Sequence, residues 1–353
     1  MTQPPTSCDA PGARGTSGLI FGRINGVLEL VERALRDQLV SESEVIVSLG
    51  GHVLSSGGKR MRPALLILSA ELCGYTGPRR VQMGAAIELM HTATLVHDDV
   101  VDFADLRRGQ PSANAVWGNR RAVLAGDFLY GCASSMVIED GNYDILEVFG
   151  NAVSRMAEGE LLQLQRSFDC AVTEAHYYGV IDRKSAALIS AACEVGAILA
   201  EVTRAERRSL AEFGRELGLA FQLKDDALDY DKSAEALGKR NYVDVLEGKV
   251  TLPLLLTLKR CTNAQRQEIA AVVKAAAGLQ VSQPGRDATA GESELLEIEP
   301  VVQLVERYHG VADTERRAAE HVGRAAAAIA AFPESPAKEA LLAAASYTIT
   351  RDR

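Results

Sequence analysis

The chain reads as an all-α protein, a single-domain helical bundle. Three observations predict this class. Apolar residues recur at helical spacing almost without a break from Leu19 to Arg351. Alanine, leucine, glutamate and arginine dominate while aromatics make up only 5%, a balance that favours helix over strand. Alternating Val/Ile/Thr-rich runs joined by hairpin turns are missing, so strands are not expected to matter.

The elements follow in order. Residues 1–18, MTQPPTSCDAPGARGTSG, are rich in Pro, Gly, Ser and Thr and lack an apolar stretch. They read as a disordered tail, neither signal peptide nor membrane span. Helices are expected over 19–38 and 41–56, the second stopped by Gly57 and Gly58. Pro63 at the N1 position starts 62–74, and Gly77-Pro78 precedes 79–103. Short Gly, Pro or Asn turns then separate helices at 119–138, 143–168, 173–201, 205–231, 251–259, 263–277, 298–308, 311–331 and 336–350. The stretch 280–294, QVSQPGRDATAGESE, reads as a surface loop inside one domain spanning 19–353, because amphipathic helices resume directly after it.

Composition excludes several function classes. A formal charge of −9 over 353 residues argues against a nucleic-acid partner, whose phosphates need a basic face. The six cysteines, at 8, 73, 132, 170, 193 and 261, form no CxxC pair and have no histidine at zinc spacing. That is the pattern of a reducing, cytoplasmic compartment. Apolar stretches such as AALISAACEVGAILAEV are broken by a charge within the length needed to span a bilayer.

The most informative feature is a repeated acidic pattern in apolar helical sequence. Asp98, Asp99 and Asp102 form one copy, and Asp225, Asp226 and Asp229 the other. Residues i and i+4 share a helix face, so Asp98 lies over Asp102 and Asp225 over Asp229. A single acidic cluster is usually a solvated face or an N-terminal turn. Two copies with apolar flanks, LMHTATLVHDDVVD and LGLAFQLKDDALDY, point instead to an oxygen cage suited to Mg²⁺ and a diphosphate.

Three basic constellations accompany the acids. In Gly57-Gly58-Lys59-Arg60-Met61-Arg62-Pro63, a helix junction with exposed N–H groups and three cations makes a phosphate pocket. Arg107 and Arg108, just past the first aspartates, present guanidinium forks for diphosphate oxygens. Beyond the second aspartates, Lys239 and Lys249 sit in glycine-punctuated loops that fit a lid over the same phosphates. Standing alone, each is an ordinary basic loop.

In order and spacing, GGKRMRP, HDDVVDFADLRRGQPSAN, KSAAL, GLAFQLKDDALDY and GKRNYVDVLEGKVTLP resemble the trans-prenyl diphosphate synthases, all-helical enzymes of head-to-tail chain elongation. The resemblance runs from about residue 20 to the end of the sequence. It implies that Asp98, Asp99, Asp102, Asp225, Asp226 and Asp229 hold about two to three Mg²⁺ ions on an allylic diphosphate. Arg107, Lys184, Lys239 and Lys249 would assist. Isopentenyl diphosphate would be gripped by Gly58, Lys59, Arg62, His91 and Arg108, with Gln222 beside the reacting carbons. Ser185 stands where many relatives carry threonine and keeps the hydroxyl. A homodimer and a peripheral membrane contact for product release are further implications of the family.

Product length is read from the helix before Asp98. Ala93 and Thr94 there are small, and the facing segment from Gly131 to Ser135 is small too, which leaves room for an apolar tunnel closed by Met136 or Val137. From Ala85 to Asp98 the helix supplies roughly 20 Å of wall at ~1.5 Å per residue. This pattern resembles the members that make octaprenyl to decaprenyl diphosphate for quinone side chains. Shorter-chain synthesis, a non-catalytic partner subunit and a terpene cyclase are the related alternatives. His91 and His97-Asp98 superficially suggest a His-Asp phosphohydrolase, in which His97 would ligate metal; in a synthase His97 is a packed helix residue.

Overall fold

The computed structural model describes residues 18–55, 60–107, 109–231, 242–282 and 298–351. The expectations for Gly58, Lys59, Arg108, Lys239, residues 1–17 and most of the 280–294 stretch therefore lie outside the described residues.

A helical turn over 18–21 precedes α1 (Asn25–Asp37), α2 (Glu44–Ser55), α3 (Met61–Leu72) and α4 (Arg79–Val101). A two-stranded hairpin, β1 (Leu106–Arg107) and β2 (Gln110–Pro111), leads to the short α5 (Ala113–Trp117). Then come α6 (Asn119–Asp140), α7 (Tyr143–Leu164), α8 (Glu174–Ile181), a π-helical segment (Asp182–Ala186) and α9 (Ala187–Leu199). The rest comprises α10 (Arg204–Leu228), α11 (Val243–Leu246), α12 (Leu252–Arg260), α13 (Asn263–Ser282), α14 (Glu299–Arg307), α15 (Gly310–Ala328) and α16 (Pro336–Thr350).

The reason α9 sits at the centre is legible in its residues. Eleven positions from Ala187 to Leu199 are buried, leaving no polar stripe to face water. Around it, α3 and α10 pack on α9, α4 packs along α6, and α15 along α10. The main core gathers Leu65 to Leu68, Met83, Leu89, Cys193, Phe213 and Leu341. A second core forms where α12 meets α14 and α15, from Leu252, Leu254 to Leu256, Val301 and Val305. α10 starts at a reciprocal cap: the Thr203 hydroxyl accepts from the Glu206 backbone, and the Glu206 carboxylate accepts from the Thr203 N–H.

Four local features depart from expectation. The 19–38 helix breaks at 22–24, so Gly18 belongs to a helical turn rather than the tail. A hairpin does form, pivoting on Gly109 at φ +76. The 173–201 helix is interrupted by the π segment. Finally, α13 runs to Ser282, into the stretch read as a loop.

Candidate active site

The first aspartates occupy the last turn of α4. Asp102 is its C-cap, and Phe103 then takes a left-handed φ of +54, which turns the chain back through the hairpin. That return brings Arg107 Nε to 2.6 Å from Asp99 Oδ1, pairing a buried carboxylate with a guanidinium from the same motif. Asp98 is held at a pKa of about 6. Burial is the main cause, the Lys184 charge opposes it, and Glu160 and Asp102 reinforce it.

The second aspartates end α10 in the same way, with Asp229 as C-cap. Buried Asp226 accepts from Gln222 Nε2 at 2.8 Å on one oxygen and from the Tyr177 hydroxyl on the other. Gln222 in turn accepts from Ser185 Oγ at 2.6 Å. The Asp229 oxygens accept from the backbone N–H groups of Val243 and Asp244 at 3.0 and 3.2 Å, so this carboxylate caps α11. Asp225 accepts from Arg351 Nη2 at 2.7 Å.

Two lysines join the copies. Lys249 Nζ lies 2.5 Å from Glu247 and 3.4 Å from Asp102 of the first copy, while its charge also acts on Asp244 beside the second. Burial alone would depress its pKa, but the carboxylates of Glu247, Asp102 and Asp244 outweigh that and hold it above its ordinary value. Lys184 pairs with Glu160, and its charge acts on both Asp98 and Asp244. The two lysines thus stand between Asp98 and Asp102 of the first copy and Asp244, which lies beside the second.

A cleft of about 130 Å³ opens here. Lys184, Ser185, Gln222, Asp226, Asp244 and Lys249 line its polar side, and Val172, Val180, Ile181 and Val250 its apolar side. A second, small cavity of about 30 Å³ is lined by His91, Asp99 and Arg107 together with His52, Arg60 and Glu88. Asp99 and Arg107 thus face a neighbouring compartment rather than the main cleft.

The residues fit a divalent cation with oxygen ligands. Asp98, Asp99, Asp226, Asp229 and Asp244 are all held above the ordinary carboxylate range by burial first; the Asp244 charge adds to it at Asp226 and Asp229, and Glu247 and Asp225 add to it at Asp244. Buried negative charge in excess of its own cations is the environment a hard dication relieves. Among the described residues no three His, Cys, Asp or Glu side chains already converge as a chelate.

Other assignments fall differently. Arg60 is not available to a phosphate pocket: it bonds Glu32, Glu88 Oε1 at 2.9 Å and the Leu54 carbonyl at 2.9 Å, a structural clamp around a left-handed N-cap. Arg62 is half-buried at the start of α3 and lines neither cavity. Ala93 is buried in the main core beside Leu129 and Ala133, and Thr94 is half-buried, its hydroxyl donating to the His91 carbonyl at 2.8 Å. His97 faces α6, 3.1 Å from the Val123 carbonyl and 3.3 Å from Asp127. That placement removes the metal-ligand role a phosphohydrolase needs. Sequence reasoning missed Tyr177, Glu160 and Asp244. Only Tyr177 left a signal, two turns before Lys184 on one helix face.

The sequence matches the family described as polyprenyl synthetase over residues 43–282. It is 41% identical over 323 residues to the octaprenyl diphosphate synthase of Escherichia coli (strain K12), spanning 92% of this chain and 95% of that protein. The fold superposes on a Caulobacter crescentus CB15 polyprenyl synthase complexed with calcium and isoprenyl diphosphate at a TM-score of 0.86 and 34% identity, covering 99% of this chain and 100% of that one. A decaprenyl diphosphate synthase from Rhodobacter capsulatus superposes equally well, at 0.86 and 33% identity, covering 96% and 99%.

Proposed function

The chain belongs to the polyprenyl synthetase family and is a long-chain trans-prenyltransferase, and from that premise we propose how its own residues divide the reaction. Isopentenyl diphosphate adds head-to-tail to an allylic diphosphate, building an all-trans polyprenyl diphosphate of the octaprenyl to decaprenyl range. The observation that carries this is that Lys249, in the cleft with Asp226 of the second motif, reaches Asp102 of the first, while the Lys184 charge in the same cleft acts on Asp98.

A divalent cation, Mg²⁺ by family resemblance, would be held by aspartates of the two motifs and would neutralise the diphosphate as it leaves. The side chains supply the rest. Lys184 and Lys249 stand where negative charge grows as the allylic C–O bond breaks, and such preorganised charge is the largest catalytic effect to expect. Ser185, Gln222 and Tyr177 form a hydrogen-bonded chain that fixes Asp226 in one orientation. Val172, Val180, Ile181 and Val250 keep water from the allylic cation. The isopentenyl double bond attacks that cation, and the proton lost in restoring an alkene goes to the departing diphosphate. No protein nucleophile is needed. His91, with Arg107 at the shared wall, suits the second cavity to isopentenyl diphosphate.

The same reading extends to assembly and location. α6 is long and apolar enough to cross a bilayer, alone in this among the described residues, yet it packs one face on α4 and leaves Leu124 and Ile138 67% and 63% exposed. We assign that outer face to a homodimer, with a peripheral membrane contact for product release and a cytoplasmic location.

The test is to incubate the purified protein with Mg²⁺, labelled isopentenyl diphosphate and farnesyl or geranylgeranyl diphosphate, then size the extracted lipid. The expected product has eight to ten isoprene units, about the range that names the relatives, and Ala93→Phe should shorten it by filling the wall of α4. Failure to elongate any primer would remove the catalytic reading. An unchanged product from Ala93→Phe would remove the tunnel.

A further inference from the structure

Arg351 belongs to none of the motifs, yet it pairs with Asp225. Its side chain is only 8% exposed. Nη2 donates to the Phe221 carbonyl at 3.0 Å and to Asp225 Oδ1 at 2.7 Å, and the guanidinium lies 3.7 Å over the Phe221 ring. Nε donates to the Thr348 carbonyl at 3.2 Å. Phe221 and Asp225 are one turn apart on α10, so a single guanidinium spans that turn. Two carbonyls and a ring hold it whether or not the carboxylate is engaged elsewhere.

Asp225 is also the most open carboxylate of its motif, 41% exposed at the side chain, whereas Asp226 is buried against Tyr177 and Gln222 and Asp229 caps α11. We infer that Arg351 is a positioning residue that orients Asp225 and, by lodging a fixed positive charge on it, keeps the second aspartate cluster a weak divalent-cation site until a diphosphate arrives. The inference rests on the reading that Asp225 helps to hold that cation. The guanidinium sits on one carboxylate oxygen, and its charge repels a dication that approaches the carboxylate. Because its other anchors persist, the charge does not leave when metal arrives. A diphosphate adds negative charge that outweighs it.

The experiment titrates the full chain with Mn²⁺ alone, followed by electron paramagnetic resonance, with and without inorganic pyrophosphate. Arg351→Gln should bind Mn²⁺ roughly three- to tenfold more tightly without pyrophosphate, the scale of removing one partly buried charge pair. With pyrophosphate the two proteins should converge, and in an Asp225→Asn background the gain should vanish. Unchanged or weaker Mn²⁺ binding by Arg351→Gln overturns the inference, as does a gain that persists in Asp225→Asn. Should Arg351→Gln not fold, Arg351→Met keeps the packing on Phe221 without the charge and must meet the same criteria. Asp225→Asn alone separates the two readings: Mn²⁺ binding equal to wild type there removes Asp225 from the metal site whatever Arg351 does.

Discussion

Asp226 cannot rotate freely, because each of its oxygens has a protein donor. Those donors come from α8 and from one turn earlier on α10, so the carboxylate is set by packing of whole helices and not by its own rotamer preference. Tyr177→Phe removes one donor and little volume. A hydrogen bond to a charged group contributes about 1.5–3 kcal/mol, so kcat/KM should fall roughly 10- to 100-fold, mostly in kcat, with a modest loss of melting temperature. Steady-state kinetics with thermal unfolding of the same sample would check this, and a change confined to melting would make Tyr177 merely structural. The pairing of Asp98 with Asp102 and of Asp225 with Asp229 is legible in sequence because i, i+4 spacing places each pair on one helix face. Arg351 could not, since it meets Asp225 across 126 residues and only the packing of α16 on α10 brings them together. Nor could Asp244, whose partnership with the second motif depends on Asp229 capping α11.

At the scale of elements, the π segment is what aims Lys184 and Ser185. An extra residue in the turn shifts these side chains relative to a regular helix, a device often found at functional sites. Two glycines make room for it on either side. A Cβ on Gly159 of α7 would lie 2.7 Å from the Lys184 nitrogen, and one on Gly218 of α10 would lie 2.5 Å from Ala186 Cα. Gly218→Ala should therefore cost about 1–3 kcal/mol of stability by overpacking, and it should depress activity further by displacing Lys184. Gly150→Ala, on the same helix as Gly159 but with open space around it, should instead be neutral or slightly stabilising. Denaturant unfolding and initial rates on the three proteins decide it, and equal behaviour of Gly218→Ala and Gly150→Ala would refute the tight seam. Periodicity revealed the long helices, including α4 and α10 that carry the aspartates, because burial of one face dictates their spacing. It missed the π segment, α5, α11 and the hairpin, since each is too short to show a period and is fixed by tertiary contacts instead.

For the whole molecule, the outer face of α6 and the buried acids set two testable properties. Leu124 and Ile138 protrude from one side of α6, so Leu124→Asp with Ile138→Asp should convert a dimer to monomer in sedimentation equilibrium, and a monomeric wild type would end the assignment. The acids govern stability against pH. Asp98 titrates at about 6 in the folded state because burial disfavours its charge, against an ordinary 3.8. Folded protein thus keeps a proton that the unfolded chain releases, and stability falls as pH rises from about 4 to 6. Asp226, Asp229 and Asp244 are raised by burial and by neighbouring carboxylates, which adds to the same downward slope. Glu216 runs the other way: burial would raise it, but hydrogen bonds from His321 and Arg324 bring it to about 2, so its contribution is present above about 4.5 and lost only as pH drops toward 2. The metal-free protein should therefore be most stable in mildly acidic solution and melt earlier as pH is raised toward neutrality. A divalent cation with pyrophosphate needs the charged carboxylates, so its stabilising effect should grow across the same rise. Scanning calorimetry at a series of pH values, with and without Mg²⁺ and pyrophosphate, separates this from a generic ligand effect, because a shift independent of pH would mean that the buried aspartates are not the groups that bind.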